Sequence, residues 1–436
     1  MGIFNTAELD MKKILGLLAA IFLSATVAFG TVACSKDSGS SDKEQAFTIK
    51  YELNEDDEND VYYTLTGFTV SDKAQKLANK GDYAALAALF NKQTGNNDYT
   101  AETVRTFTVA SEYKADGATE TRPVKEIAAS AVSGLTFLKE ITVPSSVEKI
   151  AAGAFSNLTS LEKITLPFTG EKVGAVNGNK SFGYIFGTSA GDGLTSCTQQ
   201  YNEGTSSTAT YHIPATLKTA VITGDNKSEA GETVYYKHDV KNNKNYVLTK
   251  EEYDAFEVTE EFTKHTLTSG AKESYAVPAY AFYGCTTLET ITLSGSIEKI
   301  ADYTFSGCTS IKNYSLEGVT DTVGKYAFNG CTALTEVNFK GVKTIGAHAF
   351  DGCTSLGKES TVKEHPVNLP DATTIGEYAF NGCTAITRVT LNASGVKLEK
   401  CAFKGCSALK KVDNKPADAP TGDEDPFLNC HKDLNK

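Results

Sequence analysis

Ten cysteines, one serine in a glycine frame and a run of acids are the parts of this 436-residue chain whose types and spacing could do chemistry. Gly187-Thr188-Ser189-Ala190-Gly191 has the G-x-S-x-G spacing of an acyl-transfer nucleophile. That chemistry needs a strand before the serine, a helix after it, and a histidine and an acid delivered by a sheet. Gly191 and Gly193 oppose the helix and the six histidines are scattered, so a glycine-rich loop is expected instead. The run from Asn54 to Asp60 lacks the glycine and distal glutamate of a calcium loop and reads as a solvated turn. H-E-x-x-H, C-x-x-C and Walker spacings are absent. The motifs therefore call for no metal and no cofactor, and they do not point to an enzyme.

Six cysteines are periodic. Cys285, Cys308, Cys331, Cys353, Cys383 and Cys406 fall 23, 23, 22, 30 and 23 residues apart, each three residues after a phenylalanine (Phe282, Phe305, Phe328, Phe350, Phe380, Phe403). A unit of this length lies in the range of leucine-rich repeats. Each cysteine is followed by a pattern such as Leu288, Ile291, Leu293, whose alternation predicts a short strand with one buried face. Apolar pairs such as Ile297 with Ile300, or Val342 with Ile345, then turn the chain across the core. The A-F-x-G-C segment returns as a short helical turn ended by a glycine at positive φ. No unit can bury its own apolar edge, so stability must come from stacking neighbours. Stacked units sit about 4.8 Å apart with parallel Cβ vectors, whereas a disulfide wants Cβ atoms about 3.8 Å apart. A file of buried thiols is expected rather than bridges. Leu135 and Leu158 fill the same slot in the units of Val132 and Phe155, which marks it as apolar. Cys197 and Cys401 fall outside the file and are the thiols left for other work.

Ile141 to Phe155, with Val143, Pro144, Val147, Ile150 and Ala154, resembles the BspA-like (treponemal-type) leucine-rich repeats of bacterial surface proteins. The resemblance implies an α/β leucine-rich-repeat solenoid, a horseshoe with a parallel β-sheet and short helical turns, interrupted by insertions. It also implies non-covalent binding of a protein ligand: host extracellular matrix or another cell surface. A structural or self-associating surface protein is the alternative on the same scaffold, and a hydrolase using Ser189 is a third reading. Sedimentation of the concentrated chain without ligand separates the first two.

Residues 1–34 read as an export signal, with Met11 as the start, Lys12 and Lys13 as the basic end and Ile14 to Phe29 as the apolar run. Thr31-Val32-Ala33-Cys34 resembles a lipobox, with Thr31 at the usual leucine position. That assigns Cys34 as the lipidated N-terminus, a membrane contact through lipid, and a place on the cell surface or outer membrane; without lipid the protein is secreted. Residues 35–45 then form a flexible tether. The net charge of −12 opposes nucleic acid and anionic lipid surfaces as partners. Residues 46–124 are expected to form an N-terminal α+β cap: strands at Val61–Val70 and Val104–Val109, and helices starting at Ser71 and Asp82. Repeats follow over 125–168 and over 276–430, the latter closing with a C-terminal cap. Between them, 169–275 holds insertions around one repeat strand, His212 to Ile222. Its first insertion carries Phe182-Gly-Tyr-Ile-Phe186, which resembles an insertion recurrent in the family. Its second carries a capping box, Thr249 with Glu252, for a helix through Phe262.

The outward-facing strand residues, among them Thr292, Ser315, Asn338, Arg388 and Thr390, are polar and mixed in charge, without an aromatic anchor. Binding hot spots favour Tyr, Trp and Arg. Tyr184, Tyr201, Tyr211, Tyr235, Tyr236 and Tyr246 lie in the insertions, so partner contact is expected to centre on 169–275; the alternative is that these rings only pack the insertions.

Overall fold

The structure is a computed structural model that describes residues 45–55, 60–203, 207–224, 233–239, 244–248, 255, 262–268, 277–293, 299–316, 318–319, 321–358, 366–432 and 434. The export segment with Cys34, most of the tether and of the acidic run, Ile297, and the lengthened unit's 359–365 lie outside them. The described residues divide into two compact units, the smaller holding 45–48, 70–104 and 114–121, the larger 49–69, 105–113 and those from Arg122 on.

In the smaller unit, helix Asp72–Asn79 starts where the Ser71 hydroxyl accepts from Ala74 N–H, and helix Tyr83–Thr94 where the Asp82 carboxylate accepts from Ala85 N–H. The second helix ends at Gly95, whose φ of 77° only glycine adopts without strain. Phe90 packs between Phe47 and Tyr99 at 4.6 and 5.3 Å. The Gln93 amide accepts from Ala46 and Phe47 N–H and donates to Phe47 carbonyl, sewing that segment to the helix.

Two parallel ladders run along the larger unit. In the first, Thr106–Thr108, Glu140–Thr142, Lys163–Leu166, Thr219–Ile222 and Thr290–Leu293 lie side by side in that order. Asn313–Ser315 pairs with Glu336–Asn338, and Pro366–Asn368, Arg388–Thr390 and Lys411–Asp413 follow as a trio. The second ladder takes two residues per coil: Lys299–Ile300, Thr322–Val323, Thr344–Ile345, Thr374–Ile375 and Lys397–Leu398. Tyr62–Val70, Arg122–Ile127 and Lys149–Ile150 form its counterpart in the earlier coils, all parallel.

Between the ladders the phenylalanines form one continuous file. Ring centroids from Phe282 through Phe305, Phe328, Phe350, Phe380 and Phe403 to Phe427 are 5.7, 5.0, 5.0, 5.2, 4.9 and 5.4 Å apart, and every ring but the last is fully buried. Each phenylalanine N–H but the last donates to a carbonyl of the next coil, as Phe305 to Ala327 and Phe328 to Ala349, while that of Phe427 donates to the Asp425 carboxylate. The cysteines form a second file: the thiols of Cys308, Cys331, Cys353, Cys383, Cys406 and Cys430 each donate to the phenylalanine carbonyl of the preceding coil at 3.1–3.2 Å. They are free thiols. Burial pushes Cys308, Cys331 and Cys353 well above the ordinary thiol pKa.

Several expectations are corrected. Residues 46–124 do not form one body: Thr106–Thr108 opens the repeat ladder and Tyr62–Val70 pairs with Arg122–Ile127 in the sheet of the earlier coils, while both helices belong to the other unit. The strand expected at Val104–Val109 shortens to Thr106–Thr108 because Thr103–Arg105 coils into a 3-10 turn. The repeat strand is Thr219–Ile222, seated between Lys163–Leu166 and Thr290–Leu293, whereas His212 lies in an antiparallel hairpin of Leu194–Gln200 with Thr208–Pro214. Phe182–Phe186 is not outside the stack. It is the missing coil's own turn: Ile185 carbonyl accepts from Phe155 N–H, Phe182 N–H donates to Ala281, and the Phe182 ring lies 5.0 Å from Phe282. The second insertion contains a three-stranded antiparallel sheet of Thr233–Asp239, Lys244–Leu248 and Phe262–Thr268. Phe262 therefore opens a strand, and the helix expected before it falls, Ala255 apart, outside the described residues.

Candidate binding site

Strand alternation puts the first ladder's polar residues outward, and the coil pitch puts equivalent residues side by side, so charges of opposite sign meet across coils. Lys163 pairs with Glu140 at 3.3 Å, Lys139 with Glu162 at 2.5 Å, and Glu289 with both Lys218 and Lys312 at 3.4 Å. These lysines hold the Glu289 carboxyl below its usual range. Arg388 is tied up in the same way. Its Nε donates to Asp413 at 2.6 Å, which lowers the Asp413 carboxyl, and the Thr390 hydroxyl donates to the same oxygen. Thr292, opposite Val221, and Ser315, opposite Asn338, remain exposed. Most of this face's charge is thus compensated within the face.

The hairpin between the Phe182–Phe186 turn and the Thr219–Ile222 strand is fixed by one fully buried side chain. Gln199 Oε1 accepts from Gly183 N–H at 2.6 Å and Nε2 donates to Ala281 carbonyl at 3.0 Å, joining the missing coil's turn to the next coil. Cys197 Sγ lies 3.8 Å from Cys285 Sγ, so this thiol, read from the sequence as lying off the file, abuts its end. Cys401 is buried beside the Phe403 turn.

The tyrosines divide. Tyr211 is corrected as a contact residue: it is 5% exposed and its hydroxyl donates to Gly178 carbonyl, so its ring packs the insertion. Tyr184 and Tyr201 are half-buried, one in the Phe182–Phe186 turn and one at the hairpin end, where its N–H donates to Ser207 carbonyl. Tyr235 and Tyr236 stand in register with Leu248 and Val247, and Tyr246 with Lys237.

Ser189 lies in an exposed loop that follows a 3-10 turn, with neither a preceding strand nor a following helix. His212 Nδ1 is buried without a hydrogen-bond partner among the described residues.

A second aromatic file went unread in the sequence. Tyr280, Tyr303, Tyr326, His348 and Tyr378, each two residues before a core phenylalanine, adopt φ of 67, 58, 56, 56 and 54°. Their rings stack at 4.6, 4.8, 4.5 and 5.0 Å, within 16° of parallel. Lys325 Nζ stands 6.0 and 5.6 Å from the Tyr303 and Tyr326 rings, and Lys404 Nζ 5.4 Å from that of Tyr378. The signal was the recurrence of Tyr or His at one slot of the unit.

The BspA type leucine rich repeat region matches in six copies over residues 118–182, 249–365 and 359–434, more than half of the chain. The chain belongs to that family. Families of this scaffold are typically non-enzymatic protein-binding proteins. No curated protein matches the sequence. Among solved structures, the chain is similar to a leucine-rich repeat protein from Bacteroides ovatus at 19% identity and a TM-score of 0.37, covering 84% of this chain and 69% of that one. A leucine rich cell surface protein from Faecalibacterium prausnitzii is 16% identical at a TM-score of 0.28, over 87% and 89% of the two chains. The pneumococcal vaccine antigen PcpA is 15% identical at 0.24, over 85% and 87%.

Proposed function

We propose that this BspA-type repeat protein is exported, anchored to the cell surface through a lipid on Cys34, and binds a protein ligand of the host matrix or of another cell. Contact centres on the inserted segment 169–275, with Thr292, Ser315 and Asn338 as flanking polar contacts. The observation that supports this most is the hairpin's attachment: Gln199 holds its backbone to two coils, so Tyr201 and the neighbouring Tyr184 are presented on a rigid support. A preorganised aromatic loses little freedom on binding, and such anchors carry most interface energy. The strand face contributes less because its ion pairs are mutually satisfied.

The test is binding of the chain to immobilised extracellular matrix proteins. Joint Tyr184→Ala and Tyr201→Ala replacement is expected to weaken a positive interaction at least about tenfold, as loss of a hot spot does. Unchanged binding would remove the insertion from the interface. Mass spectrometry of the mature N-terminus is expected to find a diacylglyceryl group on Cys34; an unmodified end would make the protein secreted.

A further inference from the structure

We propose that the Tyr303, Tyr326, His348 and Tyr378 strip is a binding site for an extended, linear polysaccharide, separate from the protein-binding surface. The argument begins with strain. A bulky residue at positive φ costs on the order of 1–3 kcal/mol, and a stacked aromatic pair returns about 0.5–1.5 kcal/mol. That strain falls on any non-glycine residue in this slot, so it does not by itself call for an aromatic. Nor does the coil demand them: the same slot, two residues before Val132, Phe155 and Phe403, holds Ser130, Gly153 and Cys401, also at positive φ.

What the rings supply can be read from their arrangement. Stacked face to face, they offer a ligand their edges, with the Tyr303 and Tyr326 hydroxyls and the imidazole, while the Tyr378 hydroxyl meets the Cys401 side chain. Four of the five are half-buried and reach the surface, whereas Tyr280 is enclosed. Beside them runs a row of planar polar groups, Asn329, Asp351 and Asn381, each one residue past a core phenylalanine. This row is already held in place. Asp351 meets His348 Nδ1 at 2.7 Å and accepts from Asn381 Nδ2 at 2.8 Å, and Asn329 Nδ2 donates to Asp351 carbonyl at 3.1 Å. Lys325 and Lys404 cover ring surface and add donors at the rim.

Phenol hydroxyls and amides both donate and accept, as sugar hydroxyls do, so a row of them suits a polyhydroxylated chain. The pitch chooses the geometry: groups repeating every 4.5–5.0 Å from coil to coil match a polymer that advances by one sugar per coil, which an extended glycan does and a helical one does not.

The experiment titrates the full chain with cellohexaose, mannohexaose and chitohexaose, with maltohexaose as the helical comparison, following affinity calorimetrically and the His348 imidazole signals by NMR. At least one extended hexasaccharide is expected to bind and to shift the His348 signals, with maltohexaose weaker by tenfold or more. Tyr303→Asn with Tyr326→Asn is expected to abolish binding, since asparagine accepts positive φ without a ring. Arg388→Ala is expected to leave it unchanged. Three outcomes overturn the proposal: no extended hexasaccharide binds; binding leaves the wild-type His348 signals unmoved; or the doubly substituted, folded protein binds as before. A hexaglutamate peptide that moves the same signals when no sugar does would make the strip a peptide site instead. Should the double variant fail to fold, the wild-type NMR titration decides alone.

Discussion

Removing one ring from the phenylalanine file opens a void against two neighbours at once. Phe350 stacks on Phe328 and Phe380 and meets Phe339 edge-on at 5.2 Å, so Phe350→Ala is expected to cost about 3–5 kcal/mol, read from the shift in urea midpoint. The thiol file makes a pH prediction whose sign follows from burial. The native state holds the protons of Cys308, Cys331 and Cys353 above the pH at which an unfolded thiol, near 8.5, releases them. Stability is therefore full below that pH and falls as pH rises, by about 1.4 kcal/mol per pH unit for each thiol. Under reducing conditions the denaturation midpoint is expected to drop between pH 8 and 10, less steeply in Cys331→Ala; a flat profile contradicts the burial. Asp413 behaves oppositely, its carboxyl held down by Arg388. Its NMR titration midpoint is expected below the ordinary carboxylate range and to rise in Arg388→Ala, with Lys411 still holding it down in part. Phenylalanine, cysteine and glycine were legible in the sequence because each recurs at a fixed offset and each recurrence has one physical use. The tyrosines at positive φ were not, because aromatic side chains carry no preference for that conformation.

At the scale of elements, the hairpin is the part of the chain that the repeat pattern hid. The coil it interrupts has no A-F-x-G-C signature: its turn is Phe182–Phe186, and its strand Thr219–Ile222 comes 33 residues beyond that turn's end. Spacing that long reads as an insertion even though the turn is an integral coil. Helix starts at Ser71 and Asp82 were readable because a side-chain cap is a local device. Gln199 gives a test of how far the hairpin depends on its anchor. Gln199→Leu leaves the Gly183 N–H without its partner in a buried place, at about 1–3 kcal/mol, and takes one of two donors from the Ala281 carbonyl, which keeps Phe182 N–H. Hydrogen exchange in Leu194–Gln200 and Thr208–Pro214 is expected to quicken while the coils around Phe350 hold. Gly183→Ala should act similarly through crowding, because a Cβ there would stand 2.6 Å from the Tyr211 ring and 2.7 Å from Gln199 Oε1.

Taken as a molecule, the larger unit is a succession of coils whose contacts are almost all with the coil before and the coil after. Its stability is then close to a sum of coil and interface contributions. The damage of Phe350→Ala is accordingly expected to fade with distance: amide protection should fall most in the coils of Phe328 and Phe380 and be nearly unchanged at Glu140–Thr142. Uniform loss across the unit would mean long-range cooperativity instead. The repeat itself was readable from spacing alone, whereas the boundary at its beginning was not, since Thr106–Thr108 and Tyr62–Val70 pair with coils from sequence that carries no unit signature.

The hydrogen bonds that join Phe305 to Ala327 and Phe328 to Ala349 point from coil to coil. A load applied lengthwise would break those bonds in turn rather than all together. Under traction the array would peel open like a zipper, one loop of slack at a time.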